Sequence, residues 1–150
     1  MGTKGKFFEG IEVGSEIRPL IKNITAKELF MYAAATWDPY PGHYDPTFAQ
    51  SQGFKDVYLD GPMNAAFMAQ FITDWIGMHG TLSKLSLTYR TMVFPGDSLT
   101  CTGKVTKKYT KDDVNFIECE ILLRNQDGKT VALGKATLLL CWTHPFYLCI

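Results

Sequence analysis

From Pro62 to Ile76 the sequence reads Pro-Met-Asn-Ala-Ala-Phe-Met-Ala-Gln-Phe-Ile-Thr-Asp-Trp-Ile, with Gly77 next. Proline is tolerated in a first helical turn, where its missing N–H is no loss, and glycine is favoured just past a last one. The segment therefore spells a helix. Its apolar residues nearly encircle the axis, and such a helix has to be enclosed on most sides instead of lying on a surface. The rest of the chain must wrap around residues 62–76.

The downstream sequence supplies the wrapping. Leu85, Leu87, Tyr89, Thr91 and Val93 alternate with Lys84, Ser86, Thr88 and Arg90, while Leu99, Cys101, Gly103 and Val105 alternate with Thr100, Thr102 and Lys104. A period of two marks strands buried on one face. Residues 94–97 and 125–128 are turns, and the second reads as a hairpin link between strands at 114–124 and 130–142. In the last strand Ala132, Gly134 and Ala136 share a face, on which a helix or a neighbouring sheet can come close.

Upstream, residues 15–24 read as an extended strand made irregular by Pro19, hence an edge strand. Thr25-Ala26-Lys27-Glu28 is a capping box that opens a helix over Ala26–Thr36, and residues 46–51 read as a short helical turn. The predicted fold class is α+β, a curled antiparallel β-sheet wrapped around a long central apolar helix, with three or four strands in a row after that helix. No repeat or linker divides the sequence, so residues 1–150 are expected to form a single domain.

Chemistry concentrates in residues 37–46, Trp-Asp-Pro-Tyr-Pro-Gly-His-Tyr-Asp-Pro. Each proline pins its own φ and pushes its predecessor out of α geometry, so Asp38 and His43 sit on a rigid turn. A carboxylate beside an imidazole is a natural acid–base pair near neutrality. The plainer alternative is a polar turn in which Asp38 accepts a local N–H and His43 caps.

The 15 basic and 15 acidic side chains cancel and form no cluster, which removes the electrostatic footprint of a nucleic-acid partner. Cys101, Cys119, Cys141 and Cys149 have no C-x-x-C spacing, and His43, His79 and His144 are scattered, so no metal site is expected. The cysteines fall mostly in apolar runs and are expected as packed, reduced thiols. No secretory leader is read at the start and no apolar run is long enough to span a bilayer, so the expected location is cytoplasmic, with no membrane partner. His79 is expected as an exposed partner of a helix end, and His144 as structural.

Taken together, residues 38–49 match Asp-x4-His-x-Asp-Pro-x-x-Ala and resemble the signature of the MaoC-like, or (R)-specific enoyl-CoA hydratase, branch of the hot-dog fold. Gly53-Phe54, Asp60-Gly61-Pro62-Met63 and the run from Leu87 to Asp97 resemble further stretches of that family, and the likeness extends from about Ile11 to Trp142. It implies reversible addition of water across the trans-2 double bond of an enoyl thioester, giving a 3-hydroxyacyl thioester. Asp38 and His43 would be the catalytic acid–base pair, which of them takes the first proton being left open. Gly61 would be a backbone oxyanion donor, with Tyr40, Tyr44 and Asp60 in the substrate-binding region.

Asp60 stands where many members have histidine, and Ala69 where some have serine; the Asp60 carboxylate is equally readable as a helix cap. The resemblance implies no cofactor, a coenzyme A or acyl-carrier thioester as substrate, and a homodimer or higher homo-oligomer. An edge strand ending in the apolar run 146–150 would suit such pairing. Residues 57–60 and 71–77 also look like hydratases of bulky acyl-CoA thioesters, including steroid side-chain intermediates, some of which are hetero-oligomers with a second hot-dog subunit. Lys84 and Arg90 are open to meeting coenzyme A phosphates or to being plain solvated cations. Two rival functions remain, a hot-dog acyl-CoA thioesterase and a non-catalytic acyl-CoA-binding subunit of a hetero-oligomeric hydratase. The only helix acid for the first is Asp74, at the far end of its helix.

Overall fold

The computed structural model describes residues 6–141. Its elements run β1 (Glu16–Asn23), α1 (Ala26–Thr36), α2 (Pro46–Ser51), α3 (Gly61–Ile76), β2 (Gly80–Tyr89), β3 (Ser98–Lys111), β4 (Val114–Arg124) and β5 (Thr130–Leu140), with single 3₁₀ turns at Phe8–Gly10, Pro41–His43 and Gly77–His79. The five strands form one antiparallel sheet in the order β1-β3-β4-β5-β2, curled around α3 as in the hot-dog fold. The strand reading at 15–24 holds, with Pro19 inside the irregularity between Ile17 and Leu20 on an edge strand.

Alternation places one face of each strand against the helix. On β4 Ile117, Cys119, Ile121 and Leu123 are buried, and on β5 Ala132, Ala136, Leu138 and Leu140; from α3 they meet Met63, Met68, Phe71, Ile72 and Ile76. The helix is less enclosed than its composition suggests: Pro62, Ala66, Gln70, Thr73 and Asp74 form an exposed stripe. Alanine and threonine there are short enough to tolerate water, so burial follows the 64-68-71-72 face.

The order of strands corrects the expectation of a simple row. β2 begins at Gly80, ends at Tyr89 before Thr91 and Val93, and pairs with β5 instead of β3, so the chain leaves α3 at one edge and crosses over before β3. The close approach expected at Gly134 is made by this neighbouring strand. A Cβ on Gly134 would lie 2.0 Å from the Ser86 carbonyl oxygen and 2.6 Å from Leu87. The hairpin at 125–128 is as read, with Asn125 Oδ1 accepting from the N–H groups of Asp127 and Lys129 and Gly128 at φ 75°.

Three expectations change. Cys101 and Cys119 are free and buried, and burial pushes both thiols up to about 12; Cys141, however, is disulfide-bonded, so the expectation of four reduced thiols fails there. His79, expected as exposed, is half-buried: its ring stacks on Phe7 with centroids 4.1 Å apart. The turn holding Asp38 and His43 contains one 3₁₀ turn, Pro41–His43. The readings of His144, Cys149, the strand extension to Trp142 and the tail 146–150 lie outside the described residues. Among the described residues no helix is long and apolar enough to cross a membrane.

Because the atom opposing Gly134 is backbone and cannot rotate away, Gly134→Ala is expected to cost about 3 kcal/mol. Thermal unfolding should show a melting point lower by about 6–12 °C. Gly128→Ala, at a position with open space around it, should cost only about 1 kcal/mol through its positive φ.

Candidate active site

α1 ends where Trp37 adopts a left-handed conformation (φ 55°, ψ 37°), its N–H reaching back to Ala33 and Ala34. The Asp38 N–H then closes on the Ala33 carbonyl at 2.9 Å, which fixes the backbone of the acid at the helix end. Its two oxygens divide the work. Oδ1 accepts the Tyr40 N–H at 3.0 Å, the local turn bond of the plainer reading, and Oδ2 is left facing His43.

His43 is buried, with 7% of its surface exposed. Its Nδ1 lies 2.7 Å from the Tyr58 carbonyl oxygen, and since a carbonyl only accepts, Nδ1 carries the proton. Nε2 is therefore the nitrogen that faces Asp38 Oδ2, 3.7 Å away. That is too long for a direct hydrogen bond and suits two groups that handle one small molecule between them. The Tyr58 N–H in turn donates to the Gly42 carbonyl at 3.1 Å. Gly42 is required there: a Cβ would lie 2.6 Å from the Tyr58 hydroxyl and 2.6 Å from the Tyr40 ring. Asp45, the other acid of the motif, is structural, its Oδ1 capping α2 through the N–H groups of Thr47 and Phe48.

The third wall is the start of α3. Pro62 has no N–H, and the Met63 N–H is taken by the Asp60 carbonyl at 3.1 Å; the Gly61 N–H donates to the Asp60 carboxyl. Gly61 has the Tyr89 ring 3.7 Å from where its Cβ would be. The Asp60 side chain makes no capping bond to the later N–H groups, which corrects the cap reading; the Gly61 N–H is the hydrogen bond that bears on it.

Asp60 instead joins the pair. One ligand atom each from Asp38, His43 and Asp60 lie within 4.8 Å of one another. A water making tetrahedral hydrogen bonds of about 2.8 Å has partners about 4.6 Å apart, so one molecule can touch all three groups. Burial raises the Asp60 pKa, attraction to His43 opposes this, repulsion from Asp38 adds to it, and the Gly61 N–H lowers it, with a net rise. Burial and then the Asp60 charge raise the phenols of Tyr32 and Tyr89 as well.

Tyr40 and Tyr44 flank the pair as expected. The Tyr40 ring stands 5.5 Å from that of His43, and the Tyr44 hydroxyl donates to the Pro39 carbonyl at 2.8 Å. A groove of about 310 Å³ runs from Asp38 over Phe30, Ala33, Ala34, Trp37, Pro39 and Tyr44. A second hollow, of about 830 Å³, lies on the far side of the sheet among residues such as Ser86, Thr102, Lys104 and Glu120, and touches none of these groups.

Sequence reasoning missed Tyr58, Tyr32, Tyr89 and Asn64. The last is buried one turn into α3, with a side-chain oxygen that lacks a hydrogen-bond partner in the structure. Tyr58 acts through its backbone, which leaves no residue signature. Its hydroxyl, desolvated and hydrogen-bonded to Tyr40 at 3.3 Å, is pushed up to about 12. Because the fold favours the neutral phenol, the stability this group contributes is complete below the unfolded value near 10 and is lost as pH rises through about 12. Ultraviolet phenolate titration should show a late component, near pH 12, that Tyr58→Phe removes.

Against known proteins, the family model for the MaoC like domain matches residues 12–123. The (R)-specific enoyl-CoA hydratase of Rhodospirillum rubrum is 29% identical over 136 residues, 89% of this chain and 90% of that protein. The enzyme of the same name from Aeromonas caviae is 27% identical over 87% of this chain and 96% of its own length. The solved (R)-hydratase from A. caviae superposes with a TM-score of 0.79 at 26% identity, covering 89% of this chain and 99% of that one. The ChsH1-ChsH2 complex from Mycobacterium tuberculosis superposes at 0.77 and 23% identity over 87% of this chain and 98% of that one, a likeness of fold. With the hot-dog sheet, the central helix and a family match over most of its length, this chain belongs to the MaoC-like domain family.

Proposed function

We propose that this chain is a hydratase, a carbon–oxygen lyase that adds water reversibly across the trans-2 double bond of an enoyl-CoA. One observation carries the reading: Asp38 Oδ2 and His43 Nε2 face each other at 3.7 Å, close to Asp60 at the start of α3. The names and lengths of the two curated hydratases it resembles support the same activity.

A water held against both groups has a base for one proton and a bound imidazole tautomer that cannot rotate. As its oxygen bonds to the β-carbon, electrons move through the α-carbon and negative charge develops on the thioester oxygen. The Gly61 N–H, at the positive end of α3, is the donor for that oxygen once the thioester displaces the Asp60 carboxyl from it. The α-carbon then takes a proton and the 3-hydroxyacyl thioester forms. The groove at Phe30, Trp37 and Tyr44 begins at Asp38, so it is the place for the apolar acyl portion. Protein chemistry alone suffices for this reaction, with coenzyme A entering as part of the substrate and an acyl-carrier thioester as the alternative.

A single catalytic domain that pairs with another copy is the accompanying reading. Among the described residues β2 ends the sheet with one edge unpaired, which is a template for a second strand. A second hot-dog subunit is the alternative partner, favoured by the likeness to the M. tuberculosis complex and to a hydratase beta subunit from the same organism, 28% identical over 74 residues. A thioesterase is disfavoured, because Asp74 is exposed near the far end of α3 from Gly61.

The test is a panel of short, medium and bulky trans-2-enoyl-CoA thioesters, followed by loss of conjugated absorbance and product mass. Hydration of at least one is expected. Release of free coenzyme A instead would make the chain a thioesterase, and silence with coenzyme A still bound would make it a subunit awaiting its partner. Asp38→Asn and His43→Ala should each lower kcat by about 10²–10⁴ while the far-ultraviolet spectrum is unchanged. Near-parental rates in both would reject the pair. Tyr44→Ala should alter the ranking of acyl groups more than kcat on the best one, read from the same panel.

A further inference from the structure

We propose that Phe30 and Trp37 select the acyl group, and that the preferred one carries a ring beyond its β-carbon. This rests on the hydration reading above and names its substrate class. Residues 30, 33, 34 and 37 are Phe, Ala, Ala and Trp, spaced i, i+3, i+4 and i+7 along α1 and its end, so they share one helical face. Two large rings thus stand roughly 10 Å apart along the axis, at about 1.5 Å per residue, with only methyl groups between them. The Tyr44 ring meets Phe30 edge-on, with centroids 6.3 Å apart and planes at 80°, and adds a third ring to the notch. The remaining lining residues are Pro39 and Asp38 itself.

Packing within the fold gives no reason for a tryptophan at position 37. A left-handed backbone is unfavourable for a residue with a side chain, and glycine is the usual one to end a helix in this way. Trp37 takes it at φ 55°, and its ring, 91% exposed, adds almost nothing to the core. Phe30, 56% exposed, and Tyr44 also leave apolar rings in water. Strain and exposure that meet at one residue mark a surface completed by a ligand. The next residue is Asp38, so that ligand is the molecule on which Asp38 acts.

Size and connectivity choose the portion of it. A groove of about 310 Å³ lies at the lower limit of small-molecule sites, roughly 300 Å³, which is room for an acyl group and too little for a whole coenzyme A thioester. The nucleotide lies at the far end of the pantetheine arm from the carbons that Asp38 handles. A groove open to water covers only one side of its guest. For that partial cover a linear chain loses the freedom of every rotor, whereas a ring arrives rigid and lays its whole area against Phe30, Trp37 and Tyr44.

The experiment compares trans-4-cyclohexylbut-2-enoyl-CoA with trans-2-decenoyl-CoA, whose acyl groups have the same number of carbons, in the parent, Trp37→Gly and Phe30→Ala. The parent should hydrate the ring-bearing thioester with a kcat/KM about tenfold higher, and each variant should bring the two within about threefold of one another. Trp37→Gly should also melt a few degrees above the parent, since glycine takes the left-handed backbone freely. A further readout needs no turnover. The saturated 4-cyclohexylbutanoyl-CoA should move the tryptophan emission of the parent to shorter wavelength, and Trp37→Gly should lack that shift.

Equal kcat/KM for the two thioesters in the parent, a preference that survives in Trp37→Gly, or a Trp37→Gly variant that melts lower overturns the assignment while leaving hydration by Asp38 and His43 standing. So does an emission shift of the same size with free coenzyme A, which would put the nucleotide on Trp37. A parent that binds 4-cyclohexylbutanoyl-CoA against Trp37 but hydrates no thioester of the panel overturns the hydration reading and leaves the ring site in place.

Discussion

The site depends on two hydrogen bonds that clamp Gly42-His43 to Tyr58, one from the Tyr58 N–H to the Gly42 carbonyl at 3.1 Å and one from His43 Nδ1 to the Tyr58 carbonyl at 2.7 Å. They join two loops that the sequence keeps 15 residues apart. The second bond also fixes the tautomer, so the reactive nitrogen faces Asp38 without any other orienting group. Tyr58 transmits the constraint further: the next residue, Leu59, donates to the Val93 carbonyl at 2.9 Å, and Asp60 and Gly61 follow directly. The helix start is thereby set against the turn. If Gly42 carried a side chain, Tyr58 and Tyr40 would be pushed aside and both halves of the site would lose their common reference.

Much of this was legible because it is local. The capping box at Thr25 and Glu28 forms with both of its reciprocal bonds, α1 runs over Ala26–Thr36 as read, and the proline and glycine that bound α3 sit at its ends. The Asp38–His43 spacing was readable for the same reason, since two prolines and a glycine dictate a short path between them. The turn bond read for Asp38 is present, beside its approach to His43. One oxygen makes the turn and the other is held for His43.

What was not legible is non-local. Nothing in residues 80–89 announces that β2 pairs with β5, 50 or so residues on, and the small residues at 132, 134 and 136 told of a close neighbour without naming it. Tyr32, Tyr89 and Asn64 come to the helix start from three elements, and no spacing links them. Tyr58 contributes a carbonyl that any residue could supply. Pattern in a sequence reports which side of an element is buried; it does not report which element lies there, and sites assembled by convergence stay hidden for that reason.

Asp60 shows how a local rule can be turned by its neighbours. An aspartate at a helix N-cap ordinarily keeps its charge, because it accepts from N–H groups of the first turn and lies at the positive end of the dipole. Here Pro62 removes one of those donors and the Asp60 carbonyl takes the Met63 N–H at 3.1 Å, so the carboxylate retains only Gly61. Gly61 and His43 still draw its pKa down, but burial and Asp38 outweigh them. A protonated histidine in the same place would be drawn to Asp38 instead of repelled by it. The charge of the aspartate is coupled to the two groups opposite it.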